Sequence, residues 1–207
     1  MESSTVPDLT MESALWQQGL KRIAGVDEVG RGCLAGPVIS VALLLPVDCE
    51  MIAGVRDSKK LTAKKRQALY PLIMEQAVAI GVGAGGVKEI DTINILNSSY
   101  LSMQRALRRL PAYDHALIDG RDSKTIDLGV HTAVIKGDNR CYSIACAAIV
   151  AKVIRDKMMT ALARHYPAYA WEKNMGYGTK AHLAGLQTAG VTAHHRHSYA
   201  PVKALLA

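Results

Sequence analysis

Residues 22–46 read RIAGVDEVGRGCLAGPVISVALLLP, two apolar runs joined by a connection rich in glycine and ending in proline. The runs at 22–29 and 38–46 have the length and β-branched content of strands. The connection between them suits a tight hairpin. Two details do not belong to an ordinary hairpin. Asp27 and Glu28 are adjacent carboxylates at the end of the first run, and Gly30-Arg31-Gly32 follows at once. Neighbours on a regular strand point to opposite faces. The pair therefore serves one site only if the strand ends, bulges or twists there, which Gly30 permits.

Outward from this segment the pattern alternates. Residues 1–10 read as a loose tail and 11–21 as a short helix. Leu61 to Ala79 has helical spacing at Leu61, Leu69, Leu72 and Ile73, with Pro71 placed to kink or restart it. AVAIGVGAGG (77–86) reads as a third strand whose glycines admit a close neighbour. Residues 89–110 form a long helix, or a short one followed by a long one. HALIDG (115–120) and TAVIKGD (132–138) are short apolar runs, each ending at an aspartate. From Cys141 to about His165, apolar residues at 144, 147, 148, 151, 154, 158 and 162 make one helical stripe, rich enough in alanine to pack closely on a sheet. A further helix near 180–189 ends at Gly190, a suitable C′ glycine. Strands and helices in this order predict an α/β fold, a mixed sheet covered by helices. Residues from about 166 onward read as an appended helical segment.

The bulk numbers narrow the class. At 207 residues the chain suits one domain with a substantial core, and 49% hydrophobic with 21% charged residues is a globular composition. Lys and Arg outnumber Asp and Glu by 25 to 18, a net charge of +7 that favours a polyanionic partner such as nucleic acid. No apolar stretch approaches the roughly 18 residues of a membrane span. The polar start, MESSTVPDLT, lacks the apolar core of a signal peptide. Cys33, Cys49, Cys141 and Cys146 contain no CxxC pair and read as reduced thiols of a cytoplasmic protein.

Asp119 and Asp138 follow the later apolar runs as Asp27 and Glu28 follow the first. Open α/β sheets place ligand sites at the carboxyl ends of strands. Four carboxylates gathered there repel one another unless cations join them. With no Cys or His beside them the ligand set is all oxygen, which selects Mg2+ or Mn2+. Two such ions about 3.5–4 Å apart can activate water and stabilise the leaving oxygen of a phosphodiester. Simpler readings stand beside this one: Asp119-Gly120 is a common turn signal, Asp138 can cap the next helix, and Asp27-Glu28 can be a charged strand end.

The chain also resembles a known family, the type 2 ribonucleases H and in particular bacterial ribonuclease HII. The resemblance runs through ordered blocks: GVDEVGRG with LAGPV, DSKKLT (57–62), IDTINILNSSYLSMQRAL (90–107), LIDG (117–120), VIKGD (134–138), SIACAAIVAKVIRDKMM (143–159), HYPAYAWEKNMGYGTKAH (165–182) and HHRHSYAPVKALL (194–206). It implies a ribonuclease H-like fold, a five-stranded mixed sheet flanked by helices, with a C-terminal helical segment. The expected division is 1–21 as tail and short helix, 22–165 as catalytic core, and 166–207 completing the substrate-binding surface.

By that resemblance the catalytic and metal-binding residues are Asp27, Glu28, Asp119 and Asp138, with Mg2+ or Mn2+ as cofactor. The implied activity is metal-dependent endonucleolytic cleavage of the RNA strand of RNA–DNA hybrids. It extends to cutting 5′ of single ribonucleotides in duplex DNA, leaving 3′-hydroxyl and 5′-phosphate ends, as in replication and repair. Gly30, Arg31 and Gly32 are expected to approach the ribose, whose 2′-hydroxyl alone distinguishes RNA from DNA. Tyr177 is expected to stack on a neighbouring sugar, and Lys59 and Lys136 to contact phosphates. Lys60, Lys152, Arg155 and Lys180 are further candidates for phosphate contact.

The HHRH run at 194–197 is not expected to bind metal, and Arg196 there reads as a phosphate contact or a solvated charge. Departures from the family pattern are Cys33, Arg121 and Ala148. A monomer is expected, and contact with a replication clamp is possible but not readable. Two rivals remain: a different phosphotransfer enzyme or phosphatase using strand-end aspartates, and a non-catalytic hybrid-binding module.

Overall fold

The structure, a computed structural model, describes residues 6–206. The elements run α1 (Thr10–Gln17), β1 (Ile23–Val29), β2 (Val38–Leu44), α2 (Ala63–Gln76), β3 (Ala79–Gly85), α3 (Val87–Leu107), β4 (His115–Asp119), β5 (His131–Val134), α4 (Tyr142–Ala163), α5 (Trp171–Asn174), α6 (Lys180–Ala189) and α7 (Ala200–Lys203). The five strands form one mixed sheet in the order β3-β2-β1-β4-β5. β1, β2 and β3 pair antiparallel, and β1, β4 and β5 pair parallel. β1 is thus the central strand, and the parallel pairs bring the carboxyl ends of β1, β4 and β5 to one edge. No helix among the described residues is long and apolar enough to cross a membrane.

Helices cover both faces. α3 lies on β3 and β2 because the strand supplies Gly81, Gly83 and Gly85 beneath it: a Cβ on any of the three would run into Ala106, Ser102 or Ser98 of α3. This is the close approach that the glycines of 77–86 predict. α4 covers the other face, and its first turn crosses Gly25, where a Cβ would strike the Ser143 backbone. α4 is buried on every side from Tyr142 to Ala151, so its first half carries no solvent face at all. Glu12 of α1 satisfies this helix start from outside, its Oε1 accepting from the Ser143 N–H at 2.8 Å and the Cys141 thiol at 3.0 Å. The four cysteines are free thiols, as expected.

Several expectations need correction. The connection between β1 and β2 spans residues 30–37 and is no tight hairpin. α2 runs on through Pro71 without a break. The carbonyl of Gln67 that loses its donor sits on an exposed face, where water can replace it. The second half of α4 buries Arg155, Met159 and Ala163, while Met158 of the expected stripe is exposed. The helix over 87–107 is the short-then-long alternative, broken at Asn94, whose φ of 66° is left-handed. Residues 1–5 of the expected tail lie outside the described residues. Asp8 is docked rather than loose: it bridges Cys141, and its carbonyl accepts from the Tyr142 N–H. α6 ends at Gly190 with φ 78°, as its glycine predicts.

Candidate active site

β1 and β4 pair in register up to Val26 and Ile118, so Asp27 and Asp119 stand level on adjacent parallel strands. Side chains at matched positions of parallel strands share a face. Both carboxylates follow Gly25 and Leu117 onto the face covered by α4. Glu28 follows Val26 onto the α3 face. It nonetheless reaches the same place: one ligand oxygen each of Asp27, Glu28 and Asp119 lie within 4.8 Å of one another. No bulge is involved, since β1 pairs with β2 without interruption through Val29. β4 stops at Asp119, which leaves that flank of β1 uncovered, and the extra methylene of glutamate lets Glu28 reach round it.

Asp138 arrives differently. β5 ends at Val134, and the chain turns through Lys136 in the left-handed region (φ 55°) into a single 3-10 turn, Gly137–Asn139. Asp138 is therefore on a turn and not at a strand end. The Gly137 N–H donates to Asp119 Oδ1 at 2.6 Å, tying that turn to β4. Asp138 Oδ2 accepts from Lys59 Nζ at 3.1 Å, and Oδ1 accepts from Asn139 at 2.8 Å. Asp138 does not share the close oxygen cluster, but its charge acts on both Asp27 and Asp119.

The electrostatics match the crowding. Burial raises the Asp27 pKa well above the carboxylate range, and the charges of Glu28, Asp119 and Asp138 add to it. Burial raises Glu28 too; Arg31 offsets part of the shift and Asp119 adds to it. Asp119 is raised by burial and then by Asp138. For Lys59, burial disfavours the charge, but Asp138, Asp27 and Asp57 outweigh it and push the pKa up. Without added charge, these acids are short of cations. Three convergent carboxylate oxygens with no sulfur or imidazole donor fit a hard divalent cation such as Mg2+ or Mn2+.

The carboxylates floor a cleft of about 340 Å³ whose walls include Gly30, Arg31, Gly32, Ser58, Lys59, Lys152 and Tyr177. Arg31 Nη1 donates to Glu28 Oε1 at 3.3 Å. The Tyr177 ring, partly exposed, lies against Gly32, where a Cβ would sit 3.8 Å from Cε1. Lys136 is exposed on the turn before Asp138 and is not part of this wall. Lys152 lines the cleft but is paired with Asp156 at 2.6 Å. Sequence reasoning missed Asp57 and Asn139. The Asp57 carboxylate accepts from the Lys59 N–H at 2.9 Å and holds the turn that presents Lys59. The DSK triplet, with Asp two residues before Lys, carried that capping signal.

Two arginines contradict the sequence reading. Arg196 is neither a phosphate contact nor solvated, and Arg155 is not a phosphate contact: both are fully buried. Their guanidinium groups lie beneath the 30–37 loop and donate to its carbonyls. His195 in the same run is buried as well. Its Nε2 lies 3.1 Å from Nε2 of His182, which in turn accepts from Trp171 Nε1 at 3.0 Å. These rings hold the C-terminal segment together and leave no lone pair free for a metal.

Known proteins resemble the chain in sequence and in fold. The sequence profile of the family described as Ribonuclease HII matches residues 24–202. A Ribonuclease HII of Thermosynechococcus vestitus is 54% identical over 198 residues, covering 96% of this chain and 92% of that protein. Among solved structures, ribonuclease H2 from Pyrococcus horikoshii OT3 superposes with a TM-score of 0.71 at 23% identity, covering 89% of this chain and 96% of that one. Bst ribonuclease HIII, solved in complex with Mn2+, gives 0.67 at 20% identity over 93% of this chain and 71% of its own. These two likenesses carry the fold: a mixed five-stranded sheet with flanking helices.

Proposed function

The chain belongs to the ribonuclease HII family and is an endoribonuclease of the ribonuclease H type acting on RNA–DNA hybrids; within that activity, we propose that Asp27, Glu28, Asp119 and Asp138 are its catalytic carboxylates. The observation that supports this most is the convergence of three carboxylate oxygens within 4.8 Å at the floor of a cleft walled by Arg31, Lys59 and Lys152. A pair of divalent cations, Mg2+ or Mn2+, supplies water activation and stabilisation of the leaving oxygen when bound there.

The residues of the chain do the rest. Asp27 and Asp119, level on parallel strands, hold the cation position, and Glu28 and Asp138 complete it or orient the attacking water. Lys59 neutralises part of the cluster in the free protein and turns to the substrate phosphate when cations take over that task. Arg31 exchanges Glu28 for a phosphate of the cleaved strand. Gly30, Arg31 and Gly32 present backbone to a ribose closely enough to sense its 2′-hydroxyl, and at Gly32 the missing Cβ keeps that approach open. Tyr177 stacks on the adjoining sugar. Lys136, exposed on the turn before Asp138, contributes longer-range attraction to the duplex.

On this reading residues 22–165 supply the carboxylates and 166–207 complete the substrate surface through Tyr177. Cleavage falls 5′ of the ribonucleotide and leaves 3′-hydroxyl and 5′-phosphate ends. The product suits removal of ribonucleotides during DNA replication and repair.

The test is direct. Labelled duplex DNA carrying one ribonucleotide is incubated with the protein, with and without Mg2+ or Mn2+. Metal-dependent cleavage 5′ of the ribonucleotide, abolished in Asp27→Asn, is the expected result. Binding without cleavage under either metal would reduce the chain to a hybrid-binding module.

A further inference from the structure

The loop from Gly30 to Pro37 rests on two cations. Arg196 Nη2 donates to the Gly30 carbonyl at 2.6 Å and to that of Gly36 at 2.8 Å. Its Nη1 donates to the Arg31 carbonyl at 2.8 Å and to the Tyr199 hydroxyl at 3.0 Å, and Nε donates to Gly36 at 3.0 Å. Arg155 donates through Nε to the Pro37 carbonyl at 2.9 Å, through Nη2 to Ala35 at 3.0 Å, and through Nη1 to Met175 at 2.8 Å. The Tyr199 hydroxyl donates to the Arg31 carbonyl as well. Neither arginine makes an ion pair among the described residues. Burying two unpaired cations side by side is costly, and a loop needing only support would sit on apolar side chains.

The loop is also shaped to lie flat on them. Gly30 has φ 98° and Gly36 φ 82°. A Cβ on Gly30 would strike Arg155 Nε, and one on Gly36 would meet Met159 Sδ at 2.5 Å and Arg155 Nη2 at 3.3 Å. In a trans peptide the N–H points opposite to the preceding C=O. With the Gly30 and Arg31 carbonyls turned down onto Arg196, the N–H groups of Arg31 and Gly32 point away from it. Residues 30–32 form the cleft wall.

The geometry points to Arg155 and Arg196 as positioning residues for sugar recognition, which fix the outward N–H groups of the 30–37 loop by capturing its carbonyls from below. This rests on the proposed function, in which that loop senses the ribose. Neither arginine touches substrate; each acts through the loop. Lysine at either position keeps the charge but has a single nitrogen, which cannot span the three carbonyls that each guanidinium joins: Gly30, Arg31 and Gly36 for Arg196, and Ala35, Pro37 and Met175 for Arg155.

The experiment uses the full chain with Arg196→Lys, Arg155→Lys and Tyr199→Phe, the last removing only one hydroxyl. Cleavage kinetics are measured on duplex DNA with one ribonucleotide. Binding is measured in the Asp27→Asn background on that duplex and on its all-DNA counterpart. Arg196→Lys and Arg155→Lys are expected to raise KM about tenfold while kcat stays within about threefold, and to cut the preference for the ribonucleotide duplex about tenfold. Tyr199→Phe is expected to move both in the same direction by about twofold to threefold.

A purely structural role would lower the folded fraction and apparent kcat, with KM and preference unchanged, and that result overturns the inference. If the lysine variants do not fold, Tyr199→Phe decides: a lowered preference supports the inference and an unchanged one overturns it. Failure of the unsubstituted protein to cleave any ribonucleotide-containing duplex overturns the proposed function and this inference with it. Cleavage with unchanged preference in the variants overturns the inference alone.

Discussion

Two clusters of like charge lie on either side of the 30–37 loop, and the fold treats them in opposite ways. In front are Asp27, Glu28 and Asp119, with Asp138 nearby, their oxygens facing a cleft and their pKa values raised by burial and mutual repulsion. Behind are Arg155 and Arg196, sealed from solvent and hydrogen-bonded mainly to backbone carbonyls. Burial lowers the Arg196 pKa, and Arg155 adds to that effect. The acidic set is left unbalanced toward the outside, so something added from solution must balance it. The basic set is balanced from within, so it builds structure. An opening onto a cleft, more than the charge itself, separates a ligand site from a scaffold.

The largest effect that can break this comparison is expected in front. Asp27→Asn is expected to lower cleavage by about a thousandfold, about 4 kcal/mol in the barrier. The same variant gains thermal stability when divalent cations are absent, because a repelling buried charge is gone. Melting curves with and without Mg2+ check this: a variant less stable than the parent under both conditions would mean that the acids hold the fold together. Behind the loop the sign reverses. Arg196→Met is expected to cost about 3–5 kcal/mol in urea denaturation, from carbonyls left without donors at about 1–3 kcal/mol each. A cost below about 1 kcal/mol would remove Arg196 from the scaffold.

Protonation tests the basic side more gently. Burial lowers the His182 pKa, and burial together with His182 lowers that of His195 to about 4. An unfolded histidine titrates near about 6.5. Between these values the unfolded chain binds more protons, so this contribution is full above pH about 6.5 and lost as pH falls toward about 4. It is on the order of 2–3 kcal/mol. The carboxylates with raised pKa change in the opposite sense over part of this range. The readout is therefore the difference in acid sensitivity between the protein and His195→Gln; equal sensitivity would mean that His195 is not the group responsible.

The smallest effect is expected at Lys59, largely exposed yet paired with Asp138. Lys59→Met is expected to change stability by less than about 1 kcal/mol. By removing the cation that competes for the acidic site, it tightens Mg2+ binding a few-fold, measurable by calorimetry. Weaker Mg2+ binding would assign Lys59 a supporting role in the cation site.

Much of this arrangement was legible in the chain. The strand ending in Asp27-Glu28, the run ending in Asp119 and the glycine-rich third strand each carry a local pattern, and each formed as that pattern predicts. Asp138 was legible as an acid but not as a turn residue, because the left-handed conformation of Lys136 has no sequence signal outside glycine, asparagine and aspartate. Pro71 misled, since a helix tolerates a missing donor where solvent can take its place. Arg155 and Arg196 misled more. A basic residue in a basic chain reads as surface charge, and nothing adjacent in sequence announces that carbonyls will surround it.

By itself the sequence determined the order of strands and helices, the identity of the four acids and the glycines that allow close approach. These follow from backbone periodicity and from the chemistry of single residues, and both act over a few positions. Only the tertiary structure decided that Glu28 joins Asp27 and Asp119, because that depends on where a strand 91 positions later stops. It likewise decided that Arg196 holds Gly30 across 166 positions. Burial and solvent exposure are properties of packed neighbours, and they determine whether a charge waits for a ligand or fastens a loop.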